Sequence, residues 1–203
     1  TGGRLHFAHI STRESVEVIR KAKKRGLKVT CDTAPPYFAL NENAVSDYRT
    51  FAKLSPPLRS EDDRQAIVAG LADGTIDAIA SDHDPQDADS KRLPFAQAAA
   101  GAVGFETLLP MALELYHNEH MSLLEVITKL TRVPAELVRI KGAGTLDQGT
   151  AADLVIFDPD RPWKIDPYQF QSKSKNSPFD GRLTQGRVLR TLIDGREVFS
   201  EGA

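Results

Sequence analysis

Short apolar runs alternate with amphipathic stretches along the first 80 residues of the chain. The runs 4–10, 27–33 and 76–80 are mostly apolar and have the length of single strands. Between them, apolar residues recur at helical spacing. The first such stretch follows an S-x-x-E capping box that begins at Ser11, and the second follows Ser60, which predicts a helix cap. Continuous apolar strands that alternate with helices are typical of a parallel sheet covered by helices. The pattern therefore predicts an α/β fold.

The patterning changes from helical to strand-like near residue 142. Apolar residues from Phe105 to Tyr116 predict one helix, a capping box at Ser122 begins a second, and Pro134 suits the first turn of a third, short helix. Residues 152–157 predict a strand, and a predicted hairpin turns at Asp194 and Gly195. The polar, proline-containing segment 159–186 predicts an ordered surface loop. We therefore divide the chain into an α/β region, 1–142, and a small β region, 143–203.

Composition and charge narrow the range of functions. The chain has 203 residues, of which 40% are hydrophobic, and 26 Lys and Arg oppose 28 Asp and Glu. A disordered chain would be poorer in apolar residues, and a general nucleic-acid binder would carry a basic excess. No apolar run approaches the roughly 20 residues that a membrane-spanning helix needs. We expect no nucleic-acid or membrane partner, and the single cysteine, Cys31, favours a reducing, cytoplasmic location.

Ionisable side chains stand at the C-terminal ends of the three predicted strands. They are His9, Asp32, and Asp82 with His83. In barrels of parallel strands this rim holds the active site. Imidazole and carboxylate are usual zinc ligands, and a carboxylate beside a metal can also accept a proton. His9 and Asp82 are therefore candidate metal ligands, and Asp82 is also a candidate general base.

Simpler structural roles compete with this interpretation. A histidine and an aspartate that are distant along the chain prove nothing by their spacing alone. Asp82 could cap a helix or pair with Lys91 or Arg92. We interpret His6 and Cys31, which fall inside predicted strands, as packing residues.

Six motifs, taken in order, resemble those of dihydroorotases in the amidohydrolase superfamily. They are H-I-S-T-R-E-S-V at 9–16, K-L-S-P-P-L-R at 53–59, D-G-T-I-D-A-I-A-S-D-H at 73–83, P-F at 94–95, G-F-E-T at 104–107 and K-N-S-P-F at 175–179. Together they cover nearly the whole chain. Hydantoinases and allantoinases share the general scheme but lack the last motif.

The resemblance implies a (β/α)8 TIM-type barrel, of which this chain supplies about strands 6–8, followed by a β-sandwich segment. It implies reversible interconversion of N-carbamoyl-L-aspartate and L-dihydroorotate in pyrimidine biosynthesis, with one or two zinc ions. By position, His9 and Asp82 would be metal ligands, and Asp82 would also be the catalytic proton shuttle. The implied substrate-binding residues are Ser55, Gln86, Phe95 and Ala96.

Two stretches depart from the family pattern. The family's D-H-A-P-H reads D-H-D-P-Q here, which places Asp84 and Gln86 where the family has Ala and His. Its T-P-H-H reads A-P-P-Y, which places Pro36 and Tyr37 at the two histidine positions. Since Gln86 is neutral, it can donate a hydrogen bond to a substrate carboxylate but cannot supply a charge.

Several alternatives follow from these departures. The remaining metal ligands of the family would precede Thr1. We therefore expect the chain to be the C-terminal half of a protein about twice as long, or to be covered by another copy, as in a homodimer. The function could be that of a dihydroorotase, of a non-catalytic dihydroorotase-like subunit that supports aspartate carbamoyltransferase, or of another cyclic-amide hydrolase such as an allantoinase.

Overall fold

Three parallel strands and their covering helices form the first part of the computed structural model, which describes residues 2–202. The elements are β1 Leu5–Phe7, α1 Arg13–Lys24, β2 Val29–Thr33, α2 Pro35–Ala39, α3 Glu61–Ala72 and β3 Ala78–Ile79, with short 3-10 turns at Glu42–Tyr48 and Thr50–Ala52. The strands pair in the order β1-β2-β3. Both pairings are parallel, so the predicted parallel sheet is confirmed. Each strand is shorter than the apolar run that predicted it.

Side-chain caps define where the first long helices begin. The capping box predicted at Ser11 is wrong, because Thr12 is the N-cap of α1 and its hydroxyl accepts a hydrogen bond from the Ser15 amide at 3.1 Å. Ser60 caps α3 as predicted, with its hydroxyl 3.2 Å from the Asp63 amide nitrogen. The two helices pack side by side over the sheet and bury a common apolar core, which includes Cys31.

Four helices follow the parallel strands. They are α4 Ala88–Arg92, α5 Phe105–His117, α6 Leu123–Leu130 and α7 Arg132–Val138. The capping box at the start of α6 is confirmed, since Ser122 and Glu125 bond to each other's backbone amides. Helix α5 joins two cores: Leu115 packs over the parallel sheet, and Met111 packs against residues from the C-terminal part of the chain.

An antiparallel sheet forms the C-terminal part of the chain. Its strands are β4 Leu154–Lys164, β5 Leu183–Ile193 and β6 Arg196–Ser200, paired in the order β4-β5-β6. The predicted hairpin is confirmed, and both of its turn residues, Asp194 and Gly195, adopt positive φ. The prediction that 159–186 is a surface loop is wrong. Strands β4 and β5 extend into it, and Ile165, Phe170 and Phe179 are buried against Met111.

The larger architecture remains a prediction. In the described part of the chain the parallel sheet has three strands, and β1 pairs with β2 alone, leaving Leu5 and Phe7 exposed. An eight-stranded barrel and a β-sandwich both require further strands. The boundary between the two predicted regions, near residue 142, also stays a prediction. The outer ends of these regions, Thr1 and Ala203, lie outside the described residues. Between residues 2 and 202, no helix combines the length and apolar character that crossing a bilayer requires.

Candidate active site

His9 and Asp82 meet at the carboxyl end of the parallel sheet. Each residue lies just beyond its strand and adopts a left-handed backbone conformation, with φ of 53° at His9 and 47° at Asp82. This conformation costs a residue other than glycine about 1–2 kcal/mol, so the surrounding structure must hold it. His9 Nε2 lies 3.6 Å from Asp82 Oδ1, and both side chains are partly exposed. The structure thus brings together the two side chains that were predicted to bind metal.

Asp32, at the end of β2, lies between two histidines. Its Oδ1 accepts a hydrogen bond from the His9 amide at 2.8 Å, and its Oδ2 lies 2.8 Å from His6 Nε2. An ionised carboxylate only accepts, so His6 Nε2 donates to Asp32, and His6 Nδ1 forms a second hydrogen bond with the Thr30 hydroxyl at 2.8 Å. Interpreting His6 as a packing residue was therefore wrong. No pattern in the sequence signals its pairing with Asp32.

The same carboxylate orients the His9 ring. His9 Nδ1 lies 3.2 Å from Asp32 Oδ1, although the N–H direction is too oblique for a regular hydrogen bond. Interaction with Asp32 raises the pKa of His9, against the opposing effect of burial. Burial opposes ionisation of Asp32, but hydrogen bonds from His9 and His6 outweigh it and lower the pKa of the carboxyl group. Asp32 therefore stays ionised and holds Nδ1 on its side, leaving Nε2 to face Asp82.

Tyr37 is a site residue that the sequence analysis noted only as a departure. Its single O–H lies 3.0 Å from Asp82 Oδ2 and 3.1 Å from the Pro56 carbonyl oxygen, so the two acceptors share one proton. The residue is 3% exposed. Burial, followed by the charge of Asp82, raises the pKa of the phenol. Tyr37 therefore keeps its proton at neutral pH and can act as a hydrogen-bond donor.

The simpler pairings considered for Asp82 are not observed. The Lys91 ammonium donates instead to the backbone carbonyls of Thr50 and Ala99. Arg92 Nη1 lies 3.3 Å from Asp89. Asp82 instead contacts Tyr37 and His9, at the carboxyl end of the sheet.

The four predicted substrate-binding residues lie on loops near this end of the sheet. Ser55 is exposed and directly precedes Pro56, whose carbonyl accepts from Tyr37. The Lys53 ammonium donates to the carbonyls of Phe95 and Ala96, at 2.7 and 3.0 Å. It thereby ties their loop to the loop that carries Ser55.

The last of the four is held differently. The Gln86 side chain donates to Asp84 Oδ1 at 2.8 Å, so two of the residues that depart from the family pattern bind each other. His83, which follows Asp82, turns away from His9 and Asp82. Its Nδ1 accepts from the Gly104 amide at 3.1 Å, and its ring stacks on Phe105.

His9 and Asp82 fit part of a zinc site. Two ligand atoms that each lie about 2.1 Å from one tetrahedral zinc ion are roughly 3.4 Å apart, and the 3.6 Å between Nε2 and Oδ1 is close to this value. A carboxylate on the far side of a metal-binding imidazole, as Asp32 is here, is the usual arrangement at such ligands. A catalytic zinc normally has three protein ligands. Within residues 2–202, no cluster of three or more His, Cys, Asp or Glu is placed to bind a metal.

Comparison with known families decides the classification. A sequence profile of the Amidohydrolase family matches residues 4–198, nearly the full length of the chain. The chain belongs to the amidohydrolase family. A protein named dihydroorotase from Anaplasma phagocytophilum is 52% identical over 198 residues, and one from a Wolbachia of Drosophila simulans is 47% identical over 196. These matches cover 98% and 97% of this chain but 44% of each relative.

Solved structures of this amidohydrolase's relatives share its fold. An L-hydantoinase (dihydropyrimidinase) from Arthrobacter aurescens superposes with a TM-score of 0.93 at 33% identity, over 100% of this chain and 46% of that one. A dihydropyrimidinase from Brevibacillus agri superposes with a TM-score of 0.90 at 25% identity, over 98% and 45%. The chain thus spans less than half the length of the relatives it matches.

Proposed function

We propose that the complete protein containing this amidohydrolase chain is a dihydroorotase, a metal-dependent cyclic amide hydrolase. Its reaction would interconvert N-carbamoyl-L-aspartate and L-dihydroorotate. The observation that carries the proposal is the 3.6 Å approach of His9 Nε2 to Asp82 Oδ1 at the carboxyl end of the parallel sheet. Identities of 52% and 47% to proteins named dihydroorotase support this choice of substrate among the cyclic amides.

His9 and Asp82 would hold a zinc ion, and further ligands would come from outside this chain. Zinc, when bound, supplies positive charge that polarises a carbonyl group and acidifies water. Asp82 takes a proton from the attacking water as its oxygen adds to the ring carbonyl carbon. It then delivers that proton to the ring nitrogen as the C–N bond breaks. Asp32 keeps the His9 ring oriented throughout.

The substrate would lie between the loops that Tyr37 and Lys53 hold together. Ser55 would donate a hydrogen bond to it, and Gln86 would donate to its carboxylate. Phe95 and Ala96 would line the site, on a loop whose carbonyls are fixed by the Lys53 ammonium. A neutral Gln86 contributes less binding energy to a carboxylate than a charged group would.

We also propose that the rest of a longer protein completes this chain. Residues 1–142 would supply about strands 6–8 of a (β/α)8 barrel, and residues 143–203 would supply a β-sandwich segment. Coverage of 44% of each dihydroorotase relative supports this proposal. Homodimerisation and association with aspartate carbamoyltransferase remain predictions. We do not favour the non-catalytic alternative, because both candidate ligands are present and close together.

The test is hydrolysis of L-dihydroorotate by the complete protein, with zinc content measured on the same sample. Asp82→Asn, which keeps the shape but cannot accept the proton, should lower kcat by about 10²–10⁴-fold. The matched control is Asp89→Asn, because the Asp89 carboxylate is 92% exposed. Metal-free protein that is inactive with added zinc would overturn the proposal. So would turnover of hydantoins but not of dihydroorotate.

A further inference from the structure

We infer that Tyr37 is a positioning residue, which fixes the Asp82 carboxylate so that Oδ1 faces His9. The inference rests on the proposed role of Asp82 in metal binding and proton transfer. Its structural basis is that the two oxygens of the Asp82 carboxylate face different side chains. Oδ2 accepts the Tyr37 phenol at 3.0 Å, whereas Oδ1 is directed at His9 Nε2, 3.6 Å away.

Tyr37 is itself held rigidly. It lies in the first turn of α2, directly after two prolines that preset the backbone of a helix start. Its ring belongs to a small buried core on which the Ser55 loop packs, formed by Ala34, Tyr37, Ala52, Leu54, Leu58 and Ala102. The phenol oxygen is therefore a fixed donor, and its hydrogen bond fixes the position of the Asp82 carboxylate.

No other side chain replaces this hydrogen bond. Within residues 2–202, the Tyr37 phenol makes the one side-chain hydrogen bond to the Asp82 carboxylate. Without it, the carboxylate could turn about its last bond, and Oδ1 would no longer be directed at the cation position. Loss of the phenol should therefore weaken the metal site and slow the proton transfer in the same variant.

The phenol also braces the proposed substrate loop. Its oxygen lies 3.1 Å from the carbonyl oxygen of Pro56, one residue beyond Ser55, and this carbonyl shares the phenol proton with Asp82. Removing the phenol hydroxyl leaves the aromatic ring of Tyr37 and its buried neighbours in place, so the loop that carries Ser55 stays packed. The larger effect should fall on Asp82, because the Tyr37 phenol makes the one side-chain hydrogen bond to its carboxylate within residues 2–202.

The test is Tyr37→Phe in the complete protein. Loss of a hydrogen bond to a metal ligand typically costs about 10–100-fold in activity or metal affinity. We expect kcat for dihydroorotate to fall by about this factor while KM changes less than about threefold. Zinc affinity, measured by competition with a chelator, should fall about tenfold. Tyr168→Phe is the control, because Tyr168 is 79% exposed. Substitution of Tyr37 by 4-fluorophenylalanine fills the hydroxyl's space without a donor and should reproduce the Phe result.

A double-mutant cycle separates positioning from a general structural role. In an Asp82→Ala background, Tyr37→Phe should cause no further loss of zinc affinity. A full additional loss would overturn the inference, as would wild-type kcat and zinc affinity in the single variant. If wild-type protein binds zinc but does not convert dihydroorotate, the proposed function fails. The zinc-affinity cycle still decides the role of Tyr37 in that case.

Discussion

His9 Nε2 and Asp82 Oδ1 lie 3.6 Å apart, although β1 and β3, which carry these residues, are not neighbours in the sheet. Strand β2 lies between them, and its last residues place Asp32 against His9. His9 and Asp82 each lie just beyond their strand and adopt a left-handed backbone conformation, with φ of 53° and 47°. These two turns direct the side chains toward each other across the end of β2. The geometry of the pair therefore depends on groups that hold the turns and the His9 ring.

Asp32→Asn should weaken zinc binding without unfolding the protein. The amide oxygen can still accept from the His9 backbone, but it carries no charge to attract the imidazole ring. Loss of such a carboxylate behind a metal-binding histidine typically costs about 10–100-fold in metal affinity. Competition with a chelator on the complete protein measures this loss directly.

His6→Gln provides the comparison for this variant. His6 also contacts Asp32, at 2.8 Å, but on the oxygen that does not touch His9. We expect His6→Gln to lower the zinc affinity of the protein by less than Asp32→Asn does. Equal affinities in Asp32→Asn and wild type would show that the carboxylate does not orient the ligand.

Gly104→Ala should disturb the turn that carries Asp82. A Cβ atom at this position would lie 2.1 Å from the Ser81 carbonyl oxygen, a contact that only a backbone shift can relieve. Overpacking of this kind typically costs about 1–3 kcal/mol of stability. Because Ser81 directly precedes Asp82, kcat should fall as well. Chemical denaturation and steady-state kinetics measure the two effects.

Gly70→Ala is the matched control. Its Cβ would meet flexible side-chain atoms at 3.1 Å, on Ile76 and Val16, and alanine is favoured in the helix interior by about 1 kcal/mol. Its stability should change less than that of Gly104→Ala, and its kcat should stay at the wild-type value. A normal kcat in Gly104→Ala would contradict the link between this glycine and the Asp82 turn.

Lys53→Met should affect substrate binding more than the chemical step. The Lys53 ammonium holds the carbonyls of Phe95 and Ala96 and lies 5.4 Å from the centre of the Phe95 ring. Methionine keeps the length of the side chain but not the donors, so the loop should loosen. A loss of about 1 kcal/mol in binding corresponds to a rise in KM of about fivefold. Lys24→Met, on the exposed side of α1, should leave KM unchanged. A fall in kcat at constant KM would contradict this assignment.

The periodicity of apolar residues was sufficient to predict the elements but not their ends. It identified the parallel strands, the helix after Ser60 and the hairpin at Asp194 and Gly195, because burial on one face imposes a regular spacing. It failed in 159–186, where buried Ile165 and Phe179 stand among polar residues without any period. Their burial depends on Met111, in a helix distant along the chain.

The site was predictable only as far as residues at strand ends meet in a parallel sheet. That rule pointed to His9, Asp32 and Asp82, which the structure brings together. Contacts such as that of Tyr37 with Asp82 depend on how α2 packs over the loops, and no local pattern encodes this. His6 was missed for a similar reason, since alternation along β1 does not show what its neighbouring strand presents.

The buried ammonium of Lys91 should make stability depend on pH in a direction that can be checked. Lys91 is 2% exposed, and its ammonium donates to the carbonyls of Thr50, Lys53 and Ala99. Burial lowers the pKa of Lys91 to about 8 in the folded protein, whereas an unfolded chain has a lysine pKa of about 10.4. Between these two values the unfolded state binds more protons, so stability rises with pH. Below about pH 8 the ammonium is charged in both states, and the cost of burying it is fully present.

Lys91→Met isolates this contribution, because it removes the titrating group and leaves the others unchanged. The variant should be less stable at every pH, since it leaves three carbonyls without their donor. The difference in unfolding free energy between wild type and variant should grow by about 1–3 kcal/mol from pH 7.5 to 10.5. Urea denaturation at several pH values measures this difference. A difference that shrinks as the pH rises would mean that the carbonyls favour the ammonium more strongly than burial opposes it.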